Sequence, residues 1–101
     1  MGDPTFRVTP VDSLTLRLGG ELDMSTVQIL RDALRWLPAE GRVTLDLSEL
    51  AFLDSSGLNE FAQYADSLNG RGPLILANVP ERLGSLLELV AFDTLDTIEI
   101  R

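Results

Sequence analysis

The fold of this chain is decided by the stretch Phe52-Leu53-Asp54-Ser55-Ser56-Gly57-Leu58. An alternating apolar pattern at Val43, Leu45 and Leu47 precedes it and predicts a strand. An apolar stripe at helical spacing, from Leu58 to Leu68, follows it. We therefore predict a strand that runs directly into a helix, with Asp54 and two serines at the helix start, where short polar side chains cap free backbone N–H groups.

The rest of the chain alternates between strand and helix patterns. Strands are predicted over residues 6–8, 14–18, 43–47, 74–77 and 97–100, and helices over residues 25–37, 58–68 and 80–90. The turn-prone pair Asp12-Ser13 makes the first two strands an antiparallel hairpin. The order ββαβαβαβ predicts an α/β fold, in which a mixed, mostly parallel sheet has an antiparallel N-terminal strand and helices packed on it.

Several local details of the helices follow from residue type. Ser25 is placed to cap the first helix, with Gln28 three residues later, and Pro38 ends that helix. Trp36 and Tyr64 lie beside apolar stripes, so both are predicted to pack against the protein interior.

Composition narrows the classes of function. The 101 residues suit one domain over residues 1–101, with a net charge of −8 that disfavours nucleic acid and anionic membranes as partners. All eight basic residues are arginine, and lysine, histidine and cysteine are absent. No basic segment followed by an apolar stretch opens the chain, and no long apolar run predicts membrane insertion, so we expect a cytoplasmic protein.

The absent residue types also argue against catalysis. Ser55 has no histidine or lysine to act as its base, and no glycine-rich phosphate loop ends in lysine. The acidic residues Glu21, Asp23 and Asp54 could bind a cation, but acidic side chains are ordinary at helix starts. We therefore predict a binding module with no cofactor and no metal.

The chemistry of the Asp54-Ser55-Ser56-Gly57 turn is compatible with two roles, a structural one and a regulatory one. Asp and Ser are preferred helix caps and Gly57 permits a tight turn, so a purely structural role explains these residues. Alternatively, a phosphoryl group on Ser55 would meet the positive end of a helix dipole and its unpaired N–H groups. Local chemistry alone favours the structural role.

Two motifs together resemble a known family. Gly20-Glu21-Leu22-Asp23, followed by Val43-Thr44-Leu45-Asp46-Leu47 and by the Asp-Ser-Ser-Gly-Leu turn, is similar to a STAS domain, in particular to the bacterial anti-sigma factor antagonists. The resemblance spans nearly the whole chain. It implies that Ser55 is phosphorylated by a partner that is both a serine protein kinase and an anti-sigma factor, which reverses the preference for a purely structural turn.

The resemblance also implies a mechanism and a set of partner-binding residues. The unphosphorylated antagonist binds the anti-sigma factor and frees a sigma factor for transcription, phosphorylation releases it, and a phosphatase restores it; ATP belongs to the kinase. By similarity, Asp23 positions the partner or the phosphoacceptor, Asp54 orders the turn, and Ser56 is a secondary hydroxyl. Gly57, Asn59 and Glu60 complete the expected partner-binding set, with Glu60 facing away from the apolar stripe.

The sequence is also compatible with two other functions. Asn59-Glu60 departs from the small or aliphatic residues that many antagonists have there, which suits a non-switching STAS scaffold, such as a subunit of a lipid-transport ATPase complex or of a stress-signalling assembly. A small-molecule or nucleotide sensor would use the helix starts as phosphate sites.

Overall fold

Five strands and three helices follow one another in the predicted order. The computed structural model describes residues 5–89 and 95–101, apart from the side chain of Leu89. Its elements are β1 (Phe6–Asp12), β2 (Thr15–Leu22), α1 (Val27–Leu34), β3 (Thr44–Leu53), α2 (Ser55–Ser67), β4 (Leu74–Ala77), α3 (Glu81–Leu89) and β5 (Ile98–Ile100). Val90, predicted at the end of α3, lies outside the described residues.

The strands form one sheet in the order β1-β2-β3-β4-β5, with β1 antiparallel to β2 and every other pair parallel. The hairpin turn has the predicted chemistry, because Oδ1 of Asp12 accepts a hydrogen bond of 2.9 Å from the backbone N–H of Leu14. The mixed, mostly parallel sheet is therefore confirmed. β4 lies between β3 and β5, and its apolar run is buried as predicted.

The three helices share one face of the sheet. Each crossover moves to the next strand in the same direction, and crossovers between parallel strands are right-handed, so all three helices fall on the same side. One core cluster joins them to the strands: Leu16, Leu18, Leu45, Leu47, Leu74, Leu76, Leu30, Leu34, Phe61, Ala65, Leu83 and Leu87. Burial of each large side chain there contributes about 1.5–3 kcal/mol.

The opposite face of the sheet carries charged side chains on β1, β2 and β3. Arg17 on β2 and Asp46 on β3 are register partners, and their side chains form an ion pair of 3.2 Å. Arg7 on β1 pairs with Glu49 on β3 across Gly19, whose lack of a side chain leaves room for the guanidinium. On β1, β2 and β3 the charged residues of this face thus stabilise the sheet by cross-strand pairs, whereas Ile75 of β4 is apolar and buried on the same face.

Three predictions about α1 were wrong. Its N-cap residue is Thr26 rather than Ser25, and no Thr26 side-chain hydrogen bond caps the helix: the Thr26 hydroxyl donates to the carbonyl of Glu21, and the Ser25 hydroxyl donates to the carboxylate of Asp23. The helix ends at Leu34, before the predicted end near Pro38. Trp36 consequently lies in a turn beyond the helix, with 88 % of its surface exposed, and does not pack inside. Tyr64, in contrast, packs against the core as predicted.

Candidate functional site

Two loops meet at the carboxyl ends of β2 and β3. Leu22 and Leu53 are register partners at the ends of these parallel strands, and the N–H of Asp54 donates to the carbonyl of Leu22 at 3.2 Å. The loop that begins with Asp23 therefore lies beside the turn that begins with Asp54. The predicted site residues of both motifs are brought together at one edge of the sheet, where open α/β sheets bind their ligands.

Asp54 caps α2. Its Oδ1 accepts hydrogen bonds from the backbone N–H groups of Ser56, at 2.9 Å, and Gly57, at 3.3 Å. The expectation that these N–H groups are free for a phosphoryl group is wrong, because the carboxylate already occupies them. A phosphoryl group on Ser55 would therefore not find these two N–H groups free.

The two serines of the turn differ in exposure. Ser55 is exposed and Ser56 is only partly exposed. Both are at the first turn of α2, where their hydroxyls are not needed for capping, since Asp54 performs that role. Of the two serines, Ser55 is the more exposed residue.

Gly57 is buried beneath the turn. A Cβ atom there would lie 2.5 Å from Cδ1 of Leu53 and 2.8 Å from Cγ of Leu22, closer than van der Waals contact allows. The sequence suggested that Gly57 permits a tight turn, whereas the structure shows that it permits close packing of α2 on the two strand ends. As a buried position without a side chain, Gly57 offers a partner no group to contact.

The neighbouring loop is held by Asp23 and Thr26. Oδ1 of Asp23 accepts from the Ser25 hydroxyl at 2.7 Å and from the Ser25 N–H at 2.9 Å. These bonds, the hydroxyl first, outweigh desolvation and lower the pKa of Asp23 below its ordinary value. The buried Thr26 hydroxyl donates to the carbonyl of Glu21 at 2.8 Å. Thr26 was not predicted to hold this loop; its hydroxyl makes this bond and no side-chain cap bond to α1.

Glu60 is buried, so the prediction that it faces away from the apolar stripe was wrong. Its side chain is 8 % exposed, and its Oε1 accepts from Nε and Nη2 of Arg31 at 3.0 and 2.9 Å. A buried carboxylate needs such a partner, since leaving it unpaired is costly. Asn59, by contrast, is exposed on the surface of α2.

The surface of this site is acidic with two apolar side chains. Glu21, Asp23 and Asp54 supply the charge, and within residues 5–89 and 95–101 neither Asp23 nor Asp54 forms an ion pair. Met24, in the loop after β2, is 80 % exposed, and Phe52, near the end of β3, is 47 % exposed. The exposure of these two side chains was not predicted; for Met24, a methionine in an otherwise polar loop was the available signal.

Within residues 5–89 and 95–101, no group of three His, Cys, Asp or Glu side chains is arranged to hold a metal ion. None of the helices in those residues combines the length and the apolar character needed to cross a membrane.

Comparison with known proteins agrees with the two motifs. The family model described as "Mlab, STAS domain" matches residues 7–99. The anti-sigma-B factor antagonist of Staphylococcus epidermidis is 32 % identical over 91 residues, which cover 87 % of this chain and 84 % of the relative. That of Listeria monocytogenes serovar 1/2a is 31 % identical over 93 residues, or 89 % of this chain and 80 % of the relative.

A solved structure is similar in fold. The unphosphorylated form of the anti-sigma factor antagonist SpoIIAA superposes with a TM-score of 0.69, covering 95 % of this chain and 87 % of that chain. The two sequences are 19 % identical, so this likeness concerns the arrangement of strands and helices.

Proposed function

Because the chain belongs to the STAS domain family, and within it to the anti-sigma factor antagonists, we propose that it binds an anti-sigma factor and thereby regulates sigma-factor-dependent transcription. In this proposal the unphosphorylated protein binds the anti-sigma factor and frees a sigma factor. The observation that carries it is the exposed Ser55 hydroxyl at the start of α2, on a turn fixed by Asp54 and Gly57.

Phosphorylation of Ser55 is the proposed switch. A phosphoryl group adds roughly 1.5 to 2 negative charges and three acceptor oxygens. The N–H groups of Ser56 and Gly57 already bond to Asp54, so they would not neutralise the new charge. The charge would face the partner from a surface that already carries Asp23 and Asp54, and a partner fitted to the neutral hydroxyl would be released.

The chemistry of the surface indicates what kind of partner fits it. An acidic edge with Met24 and Phe52 exposed suits a surface that has basic groups around an apolar centre. In the proposed cycle this partner is an anti-sigma factor that is also a serine protein kinase, which brings the ATP, and a separate phosphatase removes the phosphate. The protein itself acts in the cytoplasm by binding, without catalysis, cofactor or metal.

Residues around Ser55 have distinct proposed roles. Asp23 and Asn59 contact or position the partner, Asp54 holds the turn, and Ser56 is a secondary hydroxyl. Glu60 would contribute indirectly, by holding α2 against α1 through Arg31, rather than by touching the partner.

Phosphorylation in vitro tests the proposal. The protein would be incubated with an anti-sigma factor kinase from the same organism and ATP, and the modified residue located by mass spectrometry. We expect one phosphate on Ser55, none on the Ser55→Ala variant, and an unchanged yield with Ser56→Ala. Absence of phosphate on Ser55, or equal binding of both forms to the kinase, would contradict the switch.

A second candidate is a non-switching STAS subunit of a larger assembly. It is favoured by Glu60, which departs from the residues of many antagonists and is buried in an ion pair with Arg31. It is also favoured by the matching family model, whose description, "Mlab, STAS domain", differs from the names of the relatives. Co-purification from native cells discriminates the two. Recovery of stable subunits other than a sigma-regulatory kinase supports this candidate, and recovery of that kinase alone eliminates it.

A further inference from the structure

An apolar groove lies at the end of the sheet opposite to Ser55. It has a volume of about 350 Å³ and runs between the β1–β2 hairpin, with Val8, Pro10 and Leu16, and the end of α1, with Ala33 and Leu37. The hairpin turn marks the amino-terminal end of β2, whereas Ser55 follows the carboxyl end of β3. A protein bound in the groove would therefore leave the Ser55 surface accessible.

Trp36 lies at the rim of this groove and is 88 % exposed. Exposure of a whole indole next to an open apolar groove is unfavourable in water, and tryptophan is the residue type most enriched among the strongest contributors to protein interfaces. The groove and its rim thus have the character of an unfilled interface.

Two charged side chains of opposite sign flank the groove. Asp12 lines it and forms no ion pair within the described residues, although it accepts a hydrogen bond from the Leu14 N–H. Arg35 adjoins Trp36, and its ion pair with Asp32 is long, 3.8 Å, and exposed on both sides. Such a pair contributes little, so Arg35 is available to another carboxylate.

We propose that the groove binds a second copy of this chain, forming a two-fold symmetric dimer. Trp36 of each copy would lie in the groove of the other, and Arg35 of each would face Asp12 of the other. The groove needs an apolar side chain next to a cation, and the chain presents that combination, Arg35-Trp36, at its own rim. Self-complementarity of this kind is what a two-fold interface requires.

The edge strand makes the alternative geometry of a continuous sheet unfavourable. β1 is at the edge of the sheet, but Pro10 has no N–H to donate to a strand of another molecule. Pairing through side chains across the groove avoids this difficulty. It also places a neutral set of charges, Arg35 and Asp12, at the contact between two chains that each carry a net charge of −8.

Sedimentation equilibrium measures the dimer directly and independently of any anti-sigma factor. We expect a concentration-dependent dimer that Trp36→Ala weakens by at least tenfold, as loss of a central aromatic does. Met24→Ala, which removes another highly exposed apolar side chain at the other end of the sheet, is the control and should leave the dimer unchanged. A monomer at all concentrations up to about 1 mM, or a dimer indifferent to Trp36→Ala, overturns the proposal.

Charge reversal identifies the occupant as a second copy. Arg35→Asp and Asp12→Arg should each weaken self-association, whereas an equimolar mixture of the two variants should form a heterodimer, because each contact then pairs opposite charges again. Asp12→Asn keeps an acceptor for the Leu14 N–H and replaces Asp12→Arg in the experiment if that variant disturbs the hairpin. Asp12→Asn should weaken the dimer severalfold. If the mixture of folded variants stays as weakly associated as each variant alone, the proposed contact is wrong.

Discussion

The guanidinium of Arg31 on α1 donates two hydrogen bonds to Oε1 of Glu60 on α2, from Nε at 3.0 Å and from Nη2 at 2.9 Å. α1 follows the loop that contains Asp23, and α2 follows the turn that contains Asp54. The Arg31–Glu60 ion pair therefore links the two helices that begin at the candidate site. Arg31 also donates to the side chain of Gln28, which fixes the guanidinium from its own helix.

Removal of Arg31 should destabilise the fold more than removal of a surface arginine. Arg31→Ala leaves the carboxylate of Glu60 buried without its partner, and because Arg31 is partly exposed we expect a loss of about 2 kcal/mol in the free energy of unfolding. The ion pair of Arg35 with Asp32 is exposed, so Arg35→Ala should change the free energy of unfolding by about 0.5 kcal/mol or less. Urea denaturation of both variants makes the comparison, and equal losses would show that the buried pair has no special role.

Charge at residue 55 should control partner binding. Ser55→Ala should keep the affinity for the anti-sigma factor but resist switching, whereas Ser55→Asp should weaken binding by about tenfold, less than a phosphoryl group, because it adds only one charge. Calorimetric titration against the purified partner measures both. Equal affinities of the two variants would remove the electrostatic basis of the switch.

A methyl group at residue 57 should be poorly tolerated. Gly57→Ala would push against Leu22 and Leu53, so we expect a loss of about 1–3 kcal/mol of stability. Gly84→Ala is the matched control, because Gly84 lies within α3 with nothing near its missing Cβ; it should stabilise the protein by about 0.5–1 kcal/mol. In thermal or urea denaturation, the free energy of unfolding should fall for Gly57→Ala and rise for Gly84→Ala. A stabilised Gly57→Ala variant would contradict the packing described above.

Two substitutions of Asp54 distinguish the effect of its hydrogen bonds on the stability of α2 from the effect of its negative charge. Asp54→Ala removes the acceptor for the N–H groups of Ser56 and Gly57 and should cost about 1 kcal/mol. Asp54→Asn retains an acceptor oxygen and should stay within about 0.5 kcal/mol of the parent protein. If urea denaturation gave the two variants the same loss, the negative charge rather than the hydrogen bonds would stabilise the helix start.

Asp46 should make the free energy of unfolding depend on pH in the acidic range. Its burial disfavours the charged form, but hydrogen bonds from the N–H and hydroxyl of Ser48, from Asn78 and from Arg17 outweigh this and hold the pKa of Asp46 below its ordinary 3.8. A lowered pKa in the folded state means that the stabilisation is complete above the ordinary value and is lost as pH falls through the folded value.

Asp46→Asn tests this dependence. At neutral pH the variant should be less stable by about 1 kcal/mol, because a charged acceptor is lost. As the pH falls below 3.8 and through the lower pKa of the folded state, the difference between the two proteins should shrink, because the parent carboxyl becomes protonated. A difference that stays constant across urea titrations at neutral and at acid pH would exclude this titration as its source.

Local patterns in the sequence were sufficient for the order of elements and for the place of Ser55. The alternation around Leu16 and Leu45 and the stripe from Leu58 define the strands and α2, because side-chain periodicity directly reflects which face is buried. The contact between the two loops also follows, since ends of adjacent parallel strands meet at one edge of the sheet.

The errors arise where the outcome depends on contacts between distant residues. Glu60 borders the buried face of α2, and it turns inward because Arg31, 29 positions away, supplies the opposite charge. Nothing in the sequence around Glu60 encodes that pair. The exposure of Trp36 depends likewise on α1 ending at Leu34, two residues earlier, and ends of helices are set by tertiary packing as much as by local propensity.

The packing of Gly57 onto Leu22 and Leu53 has a consequence for how this surface transmits information. The turn that carries Ser55 packs closely on the core at Gly57 and is held by the hydrogen bonds of Asp54, so its backbone is restrained from two sides. A modification at Ser55 would then alter the electrostatic potential of a rigid surface without refolding it. Any conformational response would have to occur in the protein that reads that potential.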